Sequence, residues 1–187
     1  MKKSPSRVTV LLSGGIDSAA TIAAFRKQHA ALDAIFFDYG QPARRSEWAA
    51  AQAIGDHYRI EVVRVKFGFR LTSRDGEFFA RNALLTLAAA ATRPPGPVVV
   101  AMGLHSSSPY YDTTPPFVAD VQRLLDGYSG GTVTLAVPFM EMTKKAVVQF
   151  ARRHRVPLHL TYSCERCNAP ACGQCRSCED RAGLHVA

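Results

Sequence analysis

An α/β fold is predicted: a doubly wound parallel sheet with a small metal-binding knuckle at its C-terminal end. Three observations carry this reading. The first apolar runs, 8–12, 33–40 and 60–67, are largely continuous, as strands buried on both faces are. Between them lie helix-length segments whose apolar residues recur three and four positions apart. All five cysteines fall between positions 164 and 178.

The elements follow in order. VTVLL (8–12) is a core strand, and Asp17 to Gln28 is an alanine-rich helix. DAIFFDYG (33–40) is a second strand ended by glycine, followed by a helix over 44–58 and a third strand, IEVVRVKF (60–67). Strands alternating with helices imply parallel pairing through right-handed crossovers. From Gly68 to Phe79 the pattern breaks into a polar loop. Asn82 to Thr92 reads as a helix stopped by Pro94 and Pro95, and VVVAMG (98–103) as the next strand. HSSSPYYDTTPP (105–116) reads as a loop, 117–126 as a helix and TVTLAVPF (132–139) as a strand. Thr143 caps a helix running to about Arg155. The division expected is an α/β domain over 1–160 with a metal-binding segment, 161–187, packed on it.

Bulk properties narrow the class. The chain has 187 residues, 47% hydrophobic and 20% charged, enough to bury a core. Its first residues, MKKSPSRVTVLLSGG, hold only about five apolar residues in a row, too few for a signal sequence or a membrane span. A cytoplasmic protein without membrane contact is expected. The net charge of +8 suits an anionic small molecule or nucleic acid. No basic stretch interleaved with aromatics appears, so nucleic acid is not the expected partner.

The turn Ser13-Gly14-Gly15-Ile16-Asp17-Ser18 leaves the first strand and opens the first helix. In parallel sheets ligands gather beyond the carboxyl ends of the strands. Glycines let the backbone approach an anion, and free N–H groups of a first helical turn bind phosphate. The hydroxyls of Ser13 and Ser18 add donors, and Asp17 suits a Mg²⁺ that bridges phosphates. A plain strand-to-helix turn explains any one of these residues, but not the run. The pattern is neither GxxxxGK[ST] nor GxGxxG, which disfavours kinase-like and dinucleotide readings.

The cluster SCERCNAPACGQCRSCEDR carries more thiols than structural packing needs. Four thiolates close a tetrahedral Zn²⁺ site, and CxxCxxC sets three of them on one tight knuckle. One of the five is then surplus.

SGGxDS after a hydrophobic strand resembles the pyrophosphate loop of ATP pyrophosphatases. Together with FDYGQ (37–41), ARN (80–82), a glycine-ended strand at Gly103, PFMEMTKKAVV (138–148) and TYSC-x7-CxxCxxC-x2-R, the chain resembles the 7-cyano-7-deazaguanine synthases from Ser13 to Arg181. The resemblance implies a Rossmann-like ATP-pyrophosphatase fold, a structural zinc and a homodimer. It implies an enzyme that converts 7-carboxy-7-deazaguanine to the nitrile with ATP, Mg²⁺ and ammonia, in queuosine-type precursor synthesis. By matching positions, Ser13, Gly14, Gly15, Asp17 and Ser18 would hold pyrophosphate, with Phe37, Tyr39 and Gly103 near the nucleotide. Lys144 would balance phosphate or adenylate charge, making Lys144 and Asp17 the catalytic pair. Arg81, Asn82 and Asp112 would hold the deazaguanine acid, Asp112 accepting from its ring N–H groups. Cys164, Cys172, Cys175 and Cys178 would bind zinc, with Cys167 in the variable gap.

Departures from the family pattern are local. Pro42 and Ala43 stand where the family has an Arg-His pair, and the segment before ARN is short. The family's YPDCR stretch is Tyr110-Tyr111-Asp112-Thr113-Thr114 here. Three alternatives keep some of the same parts. One is a ligase that stops at the amide or joins the acid to another amine, such as a protein N-terminus. Another is a tRNA-modifying ATP pyrophosphatase; the last is a zinc-knuckle binding module without catalysis.

Overall fold

A computed structural model describes residues 7–26, 31–74, 77–93, 96–107 and 110–186. Its centre is a five-stranded, all-parallel sheet in the order β3-β2-β1-β6-β7. These strands are β1 (Val8–Leu11), β2 (Leu32–Asp38), β3 (Val62–Lys66), β6 (Val98–Ala101) and β7 (Val133–Ala136). A two-stranded antiparallel ladder, β4 (Ser73–Arg74) with β5 (Glu77–Phe78), forms within the expected polar loop.

Residue alternation sorts the two faces. Val8, Val10, Leu12, Ala34 and Phe36 pack against α1 (Ile16–Arg26), α2 (Arg44–Tyr58) and α5 (Lys144–Arg153). Leu11, Ile35, Phe37, Val98 and Val100 face α3 (Arg81–Ala91) and α4 (Pro115–Ser129). The doubly wound arrangement is thus present, and both faces of every central strand are covered, which explains their continuous apolar runs.

Helix boundaries moved for local reasons. α4 starts two residues earlier than expected because Thr114 caps it, its hydroxyl accepting from Phe117 N–H at 3.4 Å, while Pro115 and Pro116 occupy the first turn. Proline costs nothing there, since those N–H groups have no partner inside the helix. The end expected for the first helix (27–28) and the Pro94-Pro95 stop lie outside the described residues. A last helix, α6 (Arg176–Gly183), carries Cys178 and was not expected. No described helix is long and apolar enough to cross a membrane.

The cysteine segment is bound closely to the sheet domain. Tyr162 N–H donates to Gly14 O at 2.9 Å, and Asn168 Oδ1 accepts from Arg45 and Ser46 N–H at 3.0 and 3.1 Å. Beyond α6, Val186 packs with Ile16 and Val148 in a small apolar cluster.

Candidate active site

The chain reverses its winding at β1, whose neighbours are β2 on one side and β6 on the other. Just beyond these strand ends lies a cleft of about 310 Å³. Open parallel sheets bind their ligands at such a point.

Part of the cleft wall is the strand-to-helix turn after β1. Ser13, Gly15, Ile16, Asp17 and Ser18 line the cleft there. The hydroxyls of Ser13 and Ser18 stand 3.2 Å apart, and Ser18 Oγ donates to Gly15 O at 3.0 Å, which shapes the turn. Lys144, the first residue of α5, reaches across to Asp17 with Nζ 2.5 and 2.7 Å from its two carboxylate oxygens. His105 Nε2 lies 3.8 Å from Asp17. Burial, outweighing the pull of Asp17, holds the His105 pKa below its usual value, with Lys144 adding to the fall. A neutral imidazole leaves Lys144 as the cation facing Asp17.

Gly14 is absent from this wall. Its φ is +84°, and a Cβ placed on it would stand 2.5 Å from Glu47 O and 3.0 Å from Ala50 Cβ. The missing Cβ of Gly14 makes room for α2. Gly103 works similarly toward α1, since its Cβ would meet the Asp17 carbonyl at 2.7 Å.

Another part of the cleft is aromatic and polar. Phe37, Tyr39, Arg81 and Asn82 line it, together with Gln41, Glu47, Tyr162 and Glu165. Gln41 is clamped: Nε2 donates to Phe37 O at 3.0 Å and to Glu47 Oε2 at 2.9 Å, while Oε1 accepts from Tyr39 N–H at 3.0 Å. Burial pushes Glu47 up to about 7 against the opposing effects of Gln41 and Arg81, with Glu165 and Asp38 adding to the rise. Ala80, at φ 55°, turns the chain so that Arg81 and Asn82 open α3 beside the cleft.

Asp112 lies elsewhere. It is 6% exposed and does not line the cleft. Its Oδ2 accepts from Asn82 N–H at 3.4 Å and its carbonyl from Asn82 Nδ2 at 3.0 Å. Asp112 thus stands behind Asn82, at the start of α3, where N–H groups lack helical partners. Burial raises its pKa, with Arg81 opposing. Asp112→Ala should lower unfolding free energy by about 1–2 kcal/mol, the scale of a lost helix cap and a bereft buried donor. A urea titration measures this; stability equal to the parent's would detach Asp112 from α3.

The sulfur atoms of Cys164, Cys172, Cys175 and Cys178 all lie within 4.8 Å of one another. A Zn²⁺ with bonds of about 2.3 Å places its ligands about 3.8 Å apart. Cys172 and Cys178 are 4.0 Å apart and Cys175 and Cys178 3.4 Å, so the set fits a tetrahedral ion. Burial raises the Cys164 thiol, but N–H groups of Cys172, Arg166 and Cys167 outweigh it and bring its pKa to about 5. Burial and its neighbour Cys175 push Cys178 up to about 12. Cys164 is thus the readier of the two to carry a negative charge, and Cys178 the readier to keep its proton. Cys167 Sγ, 3.6 Å from Cys164 Sγ, falls outside the set of four.

Comparison with known proteins places these parts in a family. The family model described as "Queuosine biosynthesis protein QueC" matches residues 7–75 and 78–185.

The chain belongs to the QueC family.

Among QueC relatives, 7-cyano-7-deazaguanine synthase 2 of Desulfitobacterium hafniense (strain Y51) is 32% identical over 199 residues, covering 92% of this chain and 85% of that protein. The 7-cyano-7-deazaguanine synthase of Persephonella marina is 30% identical over 208 residues, covering 96% and 92%. Among solved structures, the U34-tRNA thiolase NcsA from Methanococcus maripaludis with its [4Fe-4S] cluster superposes with a TM-score of 0.52 at 17% identity. That match covers 97% of this chain and 65% of the thiolase, just under two thirds of its length. It shows a shared fold between the QueC chain and the thiolase.

Proposed function

We propose that this protein is an ATP-dependent ligase that activates the carboxylate of 7-carboxy-7-deazaguanine and delivers ammonia to it, forming the amide and then 7-cyano-7-deazaguanine. The observation that carries the reading is the Ser13–Ser18 turn at the sheet's switch point, faced by Lys144, in a chain of the QueC family. A carboxylate is a poor electrophile, because its leaving group would be oxide. Its oxygen attacks the α-phosphorus of ATP, the bond to the β-phosphate oxygen breaks, and pyrophosphate leaves toward Ser13, Gly15 and Ser18. The product is an acyl adenylate whose leaving group is now AMP. Amine attack releases AMP and gives the amide; a second activation on the amide oxygen, followed by loss of AMP and two protons, gives the nitrile. Catalysis of this kind is mainly positioning and charge stabilisation.

Lys144 is the cation that follows the charge from the phosphates to the adenylate. It rests on Asp17, which keeps the cation in place until phosphate competes for it. Mg²⁺ bound with ATP would supply further phosphate neutralisation, and Asp17 is the residue suited to hold it. The four cysteines would hold zinc as a closed structural site, with no open position for chemistry.

The deciding experiment combines the protein with ATP, 7-carboxy-7-deazaguanine and ammonium and reads product masses. Amide and nitrile support the reading; no acid-dependent AMP release overturns it. Lys144→Met should lower kcat/KM by about 100-fold or more, the scale of removing one preorganised charge from a developing anion, and leave bound metal unchanged. Activity within threefold of the parent would free Lys144 from the chemistry.

A further inference from the structure

The ligase reading leaves one demand unmet. At neutral pH ammonia arrives as ammonium, which has no lone pair to attack with until a group in the cleft takes a proton. Among the described residues four carboxylates line the cleft, those of Asp17, Glu47, Glu165 and Asp180, and they are not equivalent. Asp180, on α6, is exposed. Asp17 is engaged through both oxygens by Lys144. Glu165 Oε1 accepts from the Ser177 hydroxyl at 2.5 Å. Glu47 differs: one oxygen is tethered by Gln41, whose amide is itself fixed by Phe37 and Tyr39. With one oxygen pinned and Glu47 on the wall of the cleft, the carboxylate is aimed with little freedom.

The tether also sets position relative to the reaction. The backbone of Glu47 packs against Gly14, so the first turn of α2 is seated directly under the phosphate turn. Its side chain shares the cleft wall with Tyr39 and Arg81, and the Arg81 charge acts on it. A nucleophile held by Glu47 shares one cleft with the Ser13–Ser18 turn and Lys144. Asp38 and Glu165 add negative charge around Glu47, while Arg81 and the Gln41 amide oppose it.

We propose that Glu47 is the catalytic base for the amine: it binds ammonium in the cleft and accepts one proton from it, an assignment that rests on the ligase reading above. The freed ammonia forms the new C–N bond at the acyl adenylate. The C–O bond to AMP breaks with its electron pair kept on the phosphate oxygen, and the remaining extra proton on nitrogen leaves to water. Burial supports the role, since a carboxylate brought up to about 7 is a stronger base yet is still available near neutral pH.

The test separates the two half-reactions in the full-length protein. Acid-dependent exchange of pyrophosphate into ATP reports adenylate formation and needs no amine; amide formation with ammonium reports both steps. For Glu47→Gln, amide formation at saturating ammonium should fall about 100-fold or more while exchange falls by less than about threefold. Hydroxylamine, which is neutral at pH 7.5, needs no proton removed before attack. The variant should therefore form hydroxamate within about tenfold of the parent, and Glu47→Asp should recover part of the ammonium reaction. Folding is checked by melting at pH 8, where a neutral glutamine removes the burden of a buried charge and should melt no lower than the parent. Amide formation by Glu47→Gln within threefold of the parent overturns the assignment. So does an equal loss of exchange, which would make Glu47 a holder of ATP or of the acid. A parent that shows no acid-dependent exchange overturns the ligase reading itself, and the assignment with it.

Discussion

Gly14→Ala should destabilise the protein by about 2–5 kcal/mol. Two terms add. A residue with a Cβ at φ +84° carries about 1–2 kcal/mol of backbone strain. The new methyl must also displace α2 backbone 2.5 Å away, and forced overpacking costs about 1–3 kcal/mol. The Gly14 carbonyl accepts from Tyr162 N–H, so a shifted turn also disturbs the chain just before Cys164. Gly15→Ala is the contrast. Its Cβ would meet only Ser13 Oγ at 3.4 Å and Tyr162 O at 3.8 Å, so the fold should tolerate it. Gly15 lines the cleft, however, and the added methyl should weaken ATP binding. Chemical denaturation and nucleotide titration of both variants give the expected split: Gly14 in stability, Gly15 in affinity. A Gly14→Ala protein as stable as the parent would mean that α2 is not seated against the turn.

Cys175→Ser should reduce bound metal from about one ion per chain to nearly none, and lower stability by roughly 4 kcal/mol or more, the tail of mutational effects to which metal loss belongs. Cys175 is 2% exposed and precedes α6, so its sulfur sits where that helix begins. Without the ion the sulfur cluster loses the charge that lets four thiolates coexist, and the short helix loses its anchor. Cys167→Ser should keep the metal and change stability by less than about 1 kcal/mol, since its sulfur lies outside the set of four. Elemental analysis reads the ion directly and tells zinc from iron. Full occupancy in Cys175→Ser, or loss in Cys167→Ser, would redraw the ligand set.

Much of the site was legible because its residues are consecutive or regularly spaced. Ser13, Asp17 and Ser18 belong to one strand-to-helix turn, and local chemistry alone brings them to a sheet end. The four clustered cysteines are close in sequence, so only a short segment must fold back to bring their sulfurs together. Glu47 was overlooked although a trace of it was present. Ala43, Ala50, Ala51 and Ile54 make the buried stripe of that helix, and Glu47 is the carboxylate set into the same stripe. An acidic residue on an apolar helix face, in the turn nearest the carboxyl ends of the strands, points to a pocket. The α4 start was masked by Pro115 and Pro116, which read as loop until Thr114 is seen to cap them.

What the sequence by itself determined is the part governed by period and neighbour: buried parallel strands, the helices between them, the Ser13–Ser18 strand-to-helix turn and the thiol set. Tertiary structure decided what each side chain faces. Asp112 and Asn82 are 30 positions apart, and only the packing of α3 beside the loop after β6 puts Asp112 behind Asn82 rather than in the cleft. Asp17 and Lys144 are 127 apart and meet because α1 and α5 share one face of the sheet. Gly14 shows the same division within one residue. Its type predicts an unusual φ, but whether the missing Cβ makes room for an anion or for a helix depends on α2, which local chemistry cannot place. Period and spacing act through the nearest few residues of the chain; burial and facing depend on contacts that form only when distant segments pack.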